Sequence, residues 1–312
     1  MCLDAYDLPN LGLINGIAVP KLNQENMNSI LVPLPPLAEQ ERIVAKIEEL
    51  LPLIDRYEKA WSRLEDFNKR FPVDMQKSIL QMAVQGKLVE QRPEEGTAEE
   101  LYRQIQAEKQ ALIKAGKIKK DRRIDSLVTS TMDEEPFDVP ESWKWVYLGS
   151  ILNKLTDGTH KTPKYATNGI KFVSVKDMSK GVLSLDNTKY ITEAEHKELF
   201  QRCDPMRGDM LLSKVGTTGV PAIVNTDEPF SLFVSVALLK YSHNCIDENF
   251  LYYLLKSPLV QMQATENTRG VGNKNWVLDA IAKTMVVLPP LAEQKRIVAR
   301  LNELLPLCEK LK

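Results

Sequence analysis

"LPPLAEQ" occupies residues 34–40 and recurs letter for letter at 288–294. Laid over one another without a gap, Leu34 to Tyr57 and Leu288 to Leu311 agree at 16 of 24 positions, so the chain is built around a duplicated element. The separation far exceeds the roughly 20–50 residues at which solenoid units stack on their neighbours. Two similar segments therefore bracket something unlike either. Pro35 and Pro36 suit a first helical turn, where a missing N–H costs nothing, and Glu39 sits where an acid favours the positive end of the helix dipole. The phrase starts a helix.

From there apolar residues recur in steps of four and three, at Ile43, Ile47, Leu50, Ile54, Tyr57, Trp61 and Leu64, which is a heptad seam. The second copy keeps the phase with Ile297, Leu301, Leu304, Cys308 and Leu311. Two seams in one chain can pair. Pro52 and Pro306 fall on the outward face and predict a bend in each helix. A first helix from about Leu37 to Phe71 would be roughly 50 Å long, the dimension of a spacer.

Composition narrows the class. At 312 residues the chain has the length of about two domains. Its longest apolar run, "FSLFVSVALL" at 230–239, is about half of the ~20 residues a spanning helix needs, and no signal peptide is visible. Cys2, Cys203, Cys245 and Cys308 have no CxxC spacing, which fits a reducing cytoplasm better than a disulfide framework or a zinc ribbon. A net charge of -1 gives no global attraction to nucleic acid, so any such site must concentrate its cations locally. "KAGKIKKDRR" at 114–123 is one basic cluster, read equally well as a solvated linker.

"SILQMAVQGKLVEQ" (78–91) and "AEELYRQIQAEKQALIKAG" (98–116) are helical by period, with Pro93 and Gly96 between them. "TSTMDEEPFDVPESW" (129–143) reads as an interdomain connection. From about Pro140 to 285 the pattern changes to short β-prone runs, "IKFVSV" (170–175), "DMLLSKV" (209–215), "PAIV" (221–224) and "SLFVSVALLKY" (231–241). Asp247 is placed to cap a helix over "ENFLYYLLKS", so this block is a mixed domain of strands and helices. The fold class is α+β: one complete mixed α/β domain plus long helices.

Catalytic signatures are missing from the sequence: no glycine-rich cofactor loop, no nucleophile triad, no phosphate loop, and no metal-ligand spacing around His160, His196 or His243. What remains are polar loops. "DGTHKTPKY" (157–165) offers Thr159, His160, Lys161, Thr162 and Lys164; "SKVGTTG" (213–219) offers Lys214, Thr217 and Thr218. "TRGVGNKNW" (268–276) offers Arg269, Asn273, Lys274 and Asn275, and Lys176 follows the "IKFVSV" run. Arg and Lys suit guanine edges, Asn suits adenine, and any of them can hold phosphate.

The two copies of "LPPLAEQ", with "SILQMAVQGKLV", "VPESWKWVYLG", "DGTHKTPKY" and "GDMLLSKVGTTG" in that order, resemble the specificity subunit of type I restriction-modification systems over most of the chain. The resemblance implies target-recognition domains alternating with conserved helices that pack as an antiparallel coiled coil. It implies a division into 1–34, the tail of a first recognition domain; 35–92, a conserved helical spacer; 93–139, helix and linker; 140–287, a recognition domain; and 288–312, the start of a second conserved helix. It further implies a cytoplasmic, non-catalytic DNA-binding subunit that reads one half-site of duplex DNA. Its expected partners are methylation subunits, which carry the S-adenosylmethionine, and a restriction subunit, with a second copy or a complementing half-subunit as a further partner. No cofactor, metal or membrane is expected for the chain itself. The competing reading is a coiled-coil scaffold or regulator of the methylation subunit that does not read DNA.

Overall fold

The computed structural model describes residues 14–15, 21–128, 135–270 and 274–311. The chain divides into two units, Met1–Phe67 and Asn68–Lys312. In the first, β1 (Ile14–Asn15) pairs antiparallel with β2 (Lys21–Leu22), and α1 (Gln24–Asn28) is capped by Asn23, whose side chain accepts from the Asn26 N–H at 2.7 Å. The expected remnant over 1–34 lies largely outside the described residues.

The first "LPPLAEQ" does start a helix. This helix, α2 (Leu37–Val84), is 48 residues long, about 72 Å at ~1.5 Å per residue. The expected stop near Phe71 and the separate helix over 78–91 are both corrected, because α2 runs on through Pro52 and Pro72. It stops where Gly86 adopts φ +69°, a left-handed conformation that suits glycine, and the Lys87 N–H returns to the Met82 carbonyl at 3.0 Å. The portion inside the first unit, Leu37 to Phe67, is about 46 Å long. Along it Ile43, Leu50, Ile54, Tyr57, Trp61 and Leu64 are exposed and Ile47 is half-buried.

In the second unit, α3 (Ala98–Lys114) opens with a capping box in which the Thr97 hydroxyl accepts from the Glu100 N–H and the Glu100 carboxylate accepts from the Thr97 N–H. Ala98, Leu101 and Ile105 on α3, Ile124 on α4 (Arg122–Asp125), and Leu80, Ala83 and Val84 at the end of α2 belong to one hydrophobic cluster with the strands that follow. Residues 93–128 are therefore part of the domain and not a linker before it. Lys109 is buried in α3 and held 2.9 Å from Asp125. Of the basic stretch at 114–123, Arg123 folds back onto Asp121 at 2.6 Å and onto the Leu155 carbonyl at 3.1 Å.

The strands come in the order β3 (Lys144–Tyr147), β4 (Leu152–Asp157), β5 (Tyr165–Ala166), β6 (Ile170–Val173), β7 (Lys189–Ile191), then α5 (Glu193–Phe200), β8 (Met210–Ser213), β9 (Pro221–Ile223), β10 (Phe230–Leu232) and β11 (Val236–Tyr241). Next are α6 (Glu248–Lys256), α7 (Pro258–Glu266), α8 (Leu278–Ala282), β12 (Met285–Leu288) and α9 (Leu291–Glu309). Asp247 caps α6 as expected, accepting from the N–H groups of Asn249 and Phe250 at 3.0 Å each. One sheet has the order β4-β11-β8-β9, all antiparallel; a second has β10-β6-β7-β5, with β10 and β6 parallel.

The run expected as a single strand over 231–241 is two, one in each sheet, broken at Phe233–Ser235. Its continuous apolar character has a direct cause. In β11, Ala237 and Leu239 enter one core while Val236 and Leu238 enter another; in β8, Met210 and Leu212 face the first core and Leu211 the second. A strand buried on both faces has no polar side to alternate with. Burying each such Leu or Val contributes roughly 2 kcal/mol.

The second "LPPLAEQ" leads from β12, paired antiparallel with β3, into α9. Its acid is not a simple dipole partner. Glu293 is 1% exposed and accepts from the Trp143 indole N–H at 2.8 Å and the Gln91 amide at 2.6 Å. Burial pushes its carboxyl above the usual carboxylate range, against the lowering effect of those two hydrogen bonds. Gln294 is fully buried; its oxygen accepts from the Asp247 N–H at 2.9 Å and its amide donates to the Pro289 carbonyl at 3.0 Å. Ile297 and Leu301 are fully buried in the core of this unit, so they are not an open pairing seam; Leu304 is half-buried and Leu311 exposed. Pro306 lies inside α9. Among the described residues no helix is long and apolar enough to cross a membrane.

Candidate nucleic-acid interface

The break at Phe233–Ser235 gathers the candidate loops. As β4 ends at Asp157 the chain passes against β10 so closely that a Cβ on Gly158 would lie 2.0 Å from the Leu232 carbonyl oxygen. Only glycine fits there. Thr159 then bridges Phe233 in parallel, its N–H donating to the Leu232 carbonyl at 2.9 Å while its carbonyl accepts from Val234 at 3.0 Å. The turn that carries Lys176 follows β6 and is tied to the same place, with the Val175 N–H donating to the Ser235 hydroxyl at 3.2 Å. Lys214, following β8, donates its N–H to the Ser235 carbonyl at 2.9 Å.

The loop at 213–219 closes on itself, the Gly219 N–H reaching the Ser213 carbonyl at 2.8 Å, with Gly216 and Gly219 at φ +78° and +83°. The third loop lies beside it. Arg269 and Asn275 form an antiparallel bridge, Asn275 bridges Val215, and the Gly216 N–H meets the Lys274 carbonyl at 2.9 Å. Thr268 and Thr218 touch through their hydroxyls at 3.4 Å. Three segments thus meet around one short connection, and the fourth, 268–275, packs on the 213–219 loop.

Within them, His160, Lys161, Thr162, Lys164, Lys176, Thr217, Arg269 and Lys274 are exposed; Thr159, Thr218 and Asn275 are half-buried. Asn273 lies outside the described residues. Lys164 has an acidic neighbour, since its N–H donates to the Glu195 carboxylate at 3.1 Å. Lys214 departs from the expectation of a solvent-facing cation. It is 4% exposed and its Nζ lies 3.2 Å from Asp157 Oδ2, so it is a buried ion-pair partner. Asn275 Oδ1 and Trp276 Nε1 are buried and have no hydrogen-bond partner among the described residues.

Asp157 is the organising group, and Arg202 and Ser235 join it as residues that the sequence reading passed over. The Asp157 carboxylate, 3% exposed, receives Arg202 Nη2, sits 3.2 Å from His160 Nε2 and holds Lys214. It connects the first loop to the second and offers no unpaired negative charge to solvent. The available signal was an acid before glycine at the head of a loop otherwise rich in cations. Ser235 carried no signal, because a break inside an apolar run is set by which sheet each half joins. A second charged group lies at the far end of the same sheet: Lys154 and Lys240, paired across β4 and β11, meet Asp204 at 2.6 and 3.5 Å, and Lys240 meets Asp209 at 2.7 Å. Burial raises the Asp209 carboxyl above its ordinary range despite the Lys240 hydrogen bond, and burial pushes the Cys203 thiol up to about 12.

Among the described residues these loops present cations and hydroxyls to solvent. Among the described residues no three His, Cys, Asp or Glu side chains group as metal ligands do. The family described as "Type I restriction modification DNA specificity domain" matches residues 8–60 and 140–311. The Escherichia coli type I restriction enzyme EcoAI specificity subunit is 29% identical, over 90% of this chain and 54% of its own length. The EcoBI specificity subunit, also from Escherichia coli, is 25% identical over 93% of this chain and 54% of its own. The chain therefore spans about half the length of these relatives. The solved structure of the HsdS subunit from Thermoanaerobacter tengcongensis aligns with 97% of this chain and 59% of its own at 19% identity, with a TM-score of 0.42.

Proposed function

The chain belongs to the type I restriction-modification DNA specificity family, and from that premise we propose that it recognises one half of a split target in duplex DNA and assembles with methylation subunits. The reading surface consists of the loops at 157–164, 174–177, 213–219 and 268–275. The observation that carries this is that three of these loops meet at Phe233–Ser235 and the fourth packs on 213–219, with five exposed cations, Lys161, Lys164, Lys176, Arg269 and Lys274, beside an acid already neutralised by its own partners. Such a surface concentrates positive charge locally on a chain that has almost none in net. Thr162 and Thr217 are the exposed side chains suited to base edges, and Asn275 is a half-buried amide of the third loop.

In this reading the chain itself catalyses nothing. S-adenosylmethionine and the adenine chemistry belong to the methylation subunits, and DNA cleavage to a restriction subunit. The exposed row from Ile43 to Leu64 is the face a partner helix covers, whether that helix comes from a second copy, a complementing half-subunit or a methylation subunit. The stretch of α2 from Leu37 to Phe67, ~46 Å long, corresponds to about 14 base pairs at ~3.4 Å each, a distance suited to holding two half-sites more than one turn apart.

The test is salt dependence of duplex binding by the chain with its methylation subunit. Neutralising any one of the five cations should lower the magnitude of the log K against log salt slope by about 0.9. Unchanged slopes for all five would sink this surface. Methylated-site sequencing in a host carrying the complex then tells one half-site from a palindrome.

A further inference from the structure

The basic stretch "KAGKIKKDRR" (114–123) lies outside the four reading loops, and its geometry is not that of a slack linker. α3 ends in a closed turn: the Gly116 N–H reaches the Ile113 carbonyl at 3.0 Å with Gly116 at φ +67°, and the Lys117 N–H reaches the Leu112 carbonyl at 2.9 Å. Four residues on, Asp121 caps α4, accepting from the Arg123 N–H at 3.0 Å, and Ile124 behind it is fully buried. Lys109 and Asp125, 2.9 Å apart, tie the two helices together. The connection is therefore pinned at both ends, with Ile118 half-buried between them.

Its cations are exposed and unspent. Lys114, Lys117, Lys119, Lys120 and Arg122 are all exposed, and none of their side chains makes an ion pair or hydrogen bond among the described residues. The acid among them is already taken, since Arg123 donates to Asp121 through Nε at 3.1 Å and Nη2 at 2.6 Å. Arg123 Nη2 also donates to the Leu155 carbonyl at 3.1 Å, on β4, the end strand of its sheet. Lys117 lines a cleft with Asn153 of the same strand; Glu108, in that cleft, is engaged by the Ser242 hydroxyl and by the Gln104 amide at 3.0 Å. The segment thus follows the outer edge of β4 past Asn153 and Leu155. Two residues later, about 7 Å along the strand, β4 ends at Asp157 and the first reading loop begins.

We propose that residues 114–122 are a backbone grip for duplex DNA, carrying the reading surface along the outer edge of β4 onto phosphates that flank the half-site. The grip rests on the reading of the four loops as a DNA surface, and that continuity selects DNA as the occupant. Residues 114–122 comprise Lys, Arg, Ala, Gly, Ile and the neutralised Asp121, with no amide or hydroxyl side chain. They supply charge with little to tell one base from another, the character of a positioning contact.

The test uses the chain assembled with its methylation subunit and two duplexes, one carrying the methylated site and one with that site scrambled. Changing Lys119, Lys120 and Arg122 together to Gln should lower the magnitude of the log K against log salt slope by about 2.7 on both duplexes, at ~0.9 for each phosphate released. From about 50 to about 200 mM salt, the variant should lose roughly 40-fold less affinity than the wild type. The ratio of the two affinities should not move, and Lys119→Arg with Lys120→Arg should keep the wild-type slope. An unaltered slope in the Gln variant, a shifted ratio, or a slope lost equally in the Arg variant would overturn the grip. So would a Gln variant that no longer assembles with the methylation subunit in sedimentation without DNA, which would assign the cations to an acidic protein face. The loops fail separately: if their five cation variants leave the slope unchanged while the 119–122 variant lowers it, the grip stands and the loop assignment falls.

Discussion

Asp157→Asn isolates the ion pair that connects the first two loops. Two cations, Arg202 and Lys214, and the His160 imidazole face Asp157, but they do not weigh equally. The His160 and Arg202 side chains are 63% and 53% exposed, so solvent screens them and they stay hydrated when the acid is lost. Lys214 is 5% exposed at its side chain and 3.2 Å from the carboxylate, and it would be left as a buried charge with no partner. Removing one member of a buried pair costs about 3–5 kcal/mol, which for a unit of this size lowers the melting temperature by roughly 10 °C at ~2–4 °C per kcal/mol. The double variant Asp157→Asn with Lys214→Met removes the stranded charge and should recover about half of that loss, a coupling of about 2 kcal/mol or more. Calorimetry on the wild type, both single variants and the double variant measures it. At a temperature where Asp157→Asn is still folded, duplex binding should weaken with the salt slope unchanged, because no phosphate contact has been removed. A melting temperature within about 1 °C of wild type, or strictly additive losses, would refute the pair as the element that fixes the loops.

Other outcomes follow from the same geometry. Gln294→Ala removes the partner of the half-buried Asp247 N–H and of the buried Pro289 carbonyl and should cost about 2–4 kcal/mol by urea denaturation, whereas Gln40→Ala, at a half-buried site where only the bond to the Pro35 carbonyl is lost, should cost under about 1 kcal/mol. Glu293 and Asp209 both have carboxyls raised by burial, so their contribution to stability is complete below the ordinary carboxylate range and lost as pH rises through their raised values. Folding free energies measured from about pH 4 upward should therefore show a falling component that Glu293→Gln reduces; an unaltered profile would contradict the assigned burial. Cys203, with its thiol pushed up to about 12, should resist alkylation at pH 8 in the folded chain and react fully in denaturant, as peptide mass analysis would show.

The start of both long helices was legible because proline, acid and heptad phase are local signals, and the cap at Asp247 was legible for the same reason. The end of α2 was not. The helix was expected to end near Phe71, but a helix already dozens of residues long absorbs the hydrogen bond lost at Pro72, and the true stop at Gly86 depends on a positive φ. The seam at Ile297 and Leu301 looked identical to that at Ile43 and Ile47, yet heptad spacing states only that one face is apolar. Which surface covers that face is a tertiary fact, and for the second copy it is the core of its own domain. Of the candidate site, the loop residues were visible from their chemistry, while their meeting point was not, since Phe233–Ser235 lies within a run that looked uniform. Lys214 illustrates the converse error: a lysine beside small polar residues reads as exposed until a carboxylate 57 positions earlier is found beside it.

The sheet that is apolar on both faces has a consequence for how its strands find their alignment. In a half-exposed sheet, sliding one strand by a single residue turns its polar side inward and is penalised at once. For β11 the same slide would only exchange Val236 and Leu238 with Ala237 and Leu239, apolar for apolar, so the hydrophobic pattern discriminates weakly. The charges at the two ends supply the missing discrimination. Lys214 finds Asp157 at one end, and Lys154 and Lys240 find Asp204 and Asp209 at the other, only when β4, β11 and β8 are in the native alignment. A slipped strand would bury these groups unpaired. The ion pairs thus act as alignment keys for a sheet whose greasy surfaces fit almost equally well one notch away, and the loops of the proposed reading surface grow from the ends those keys hold in place.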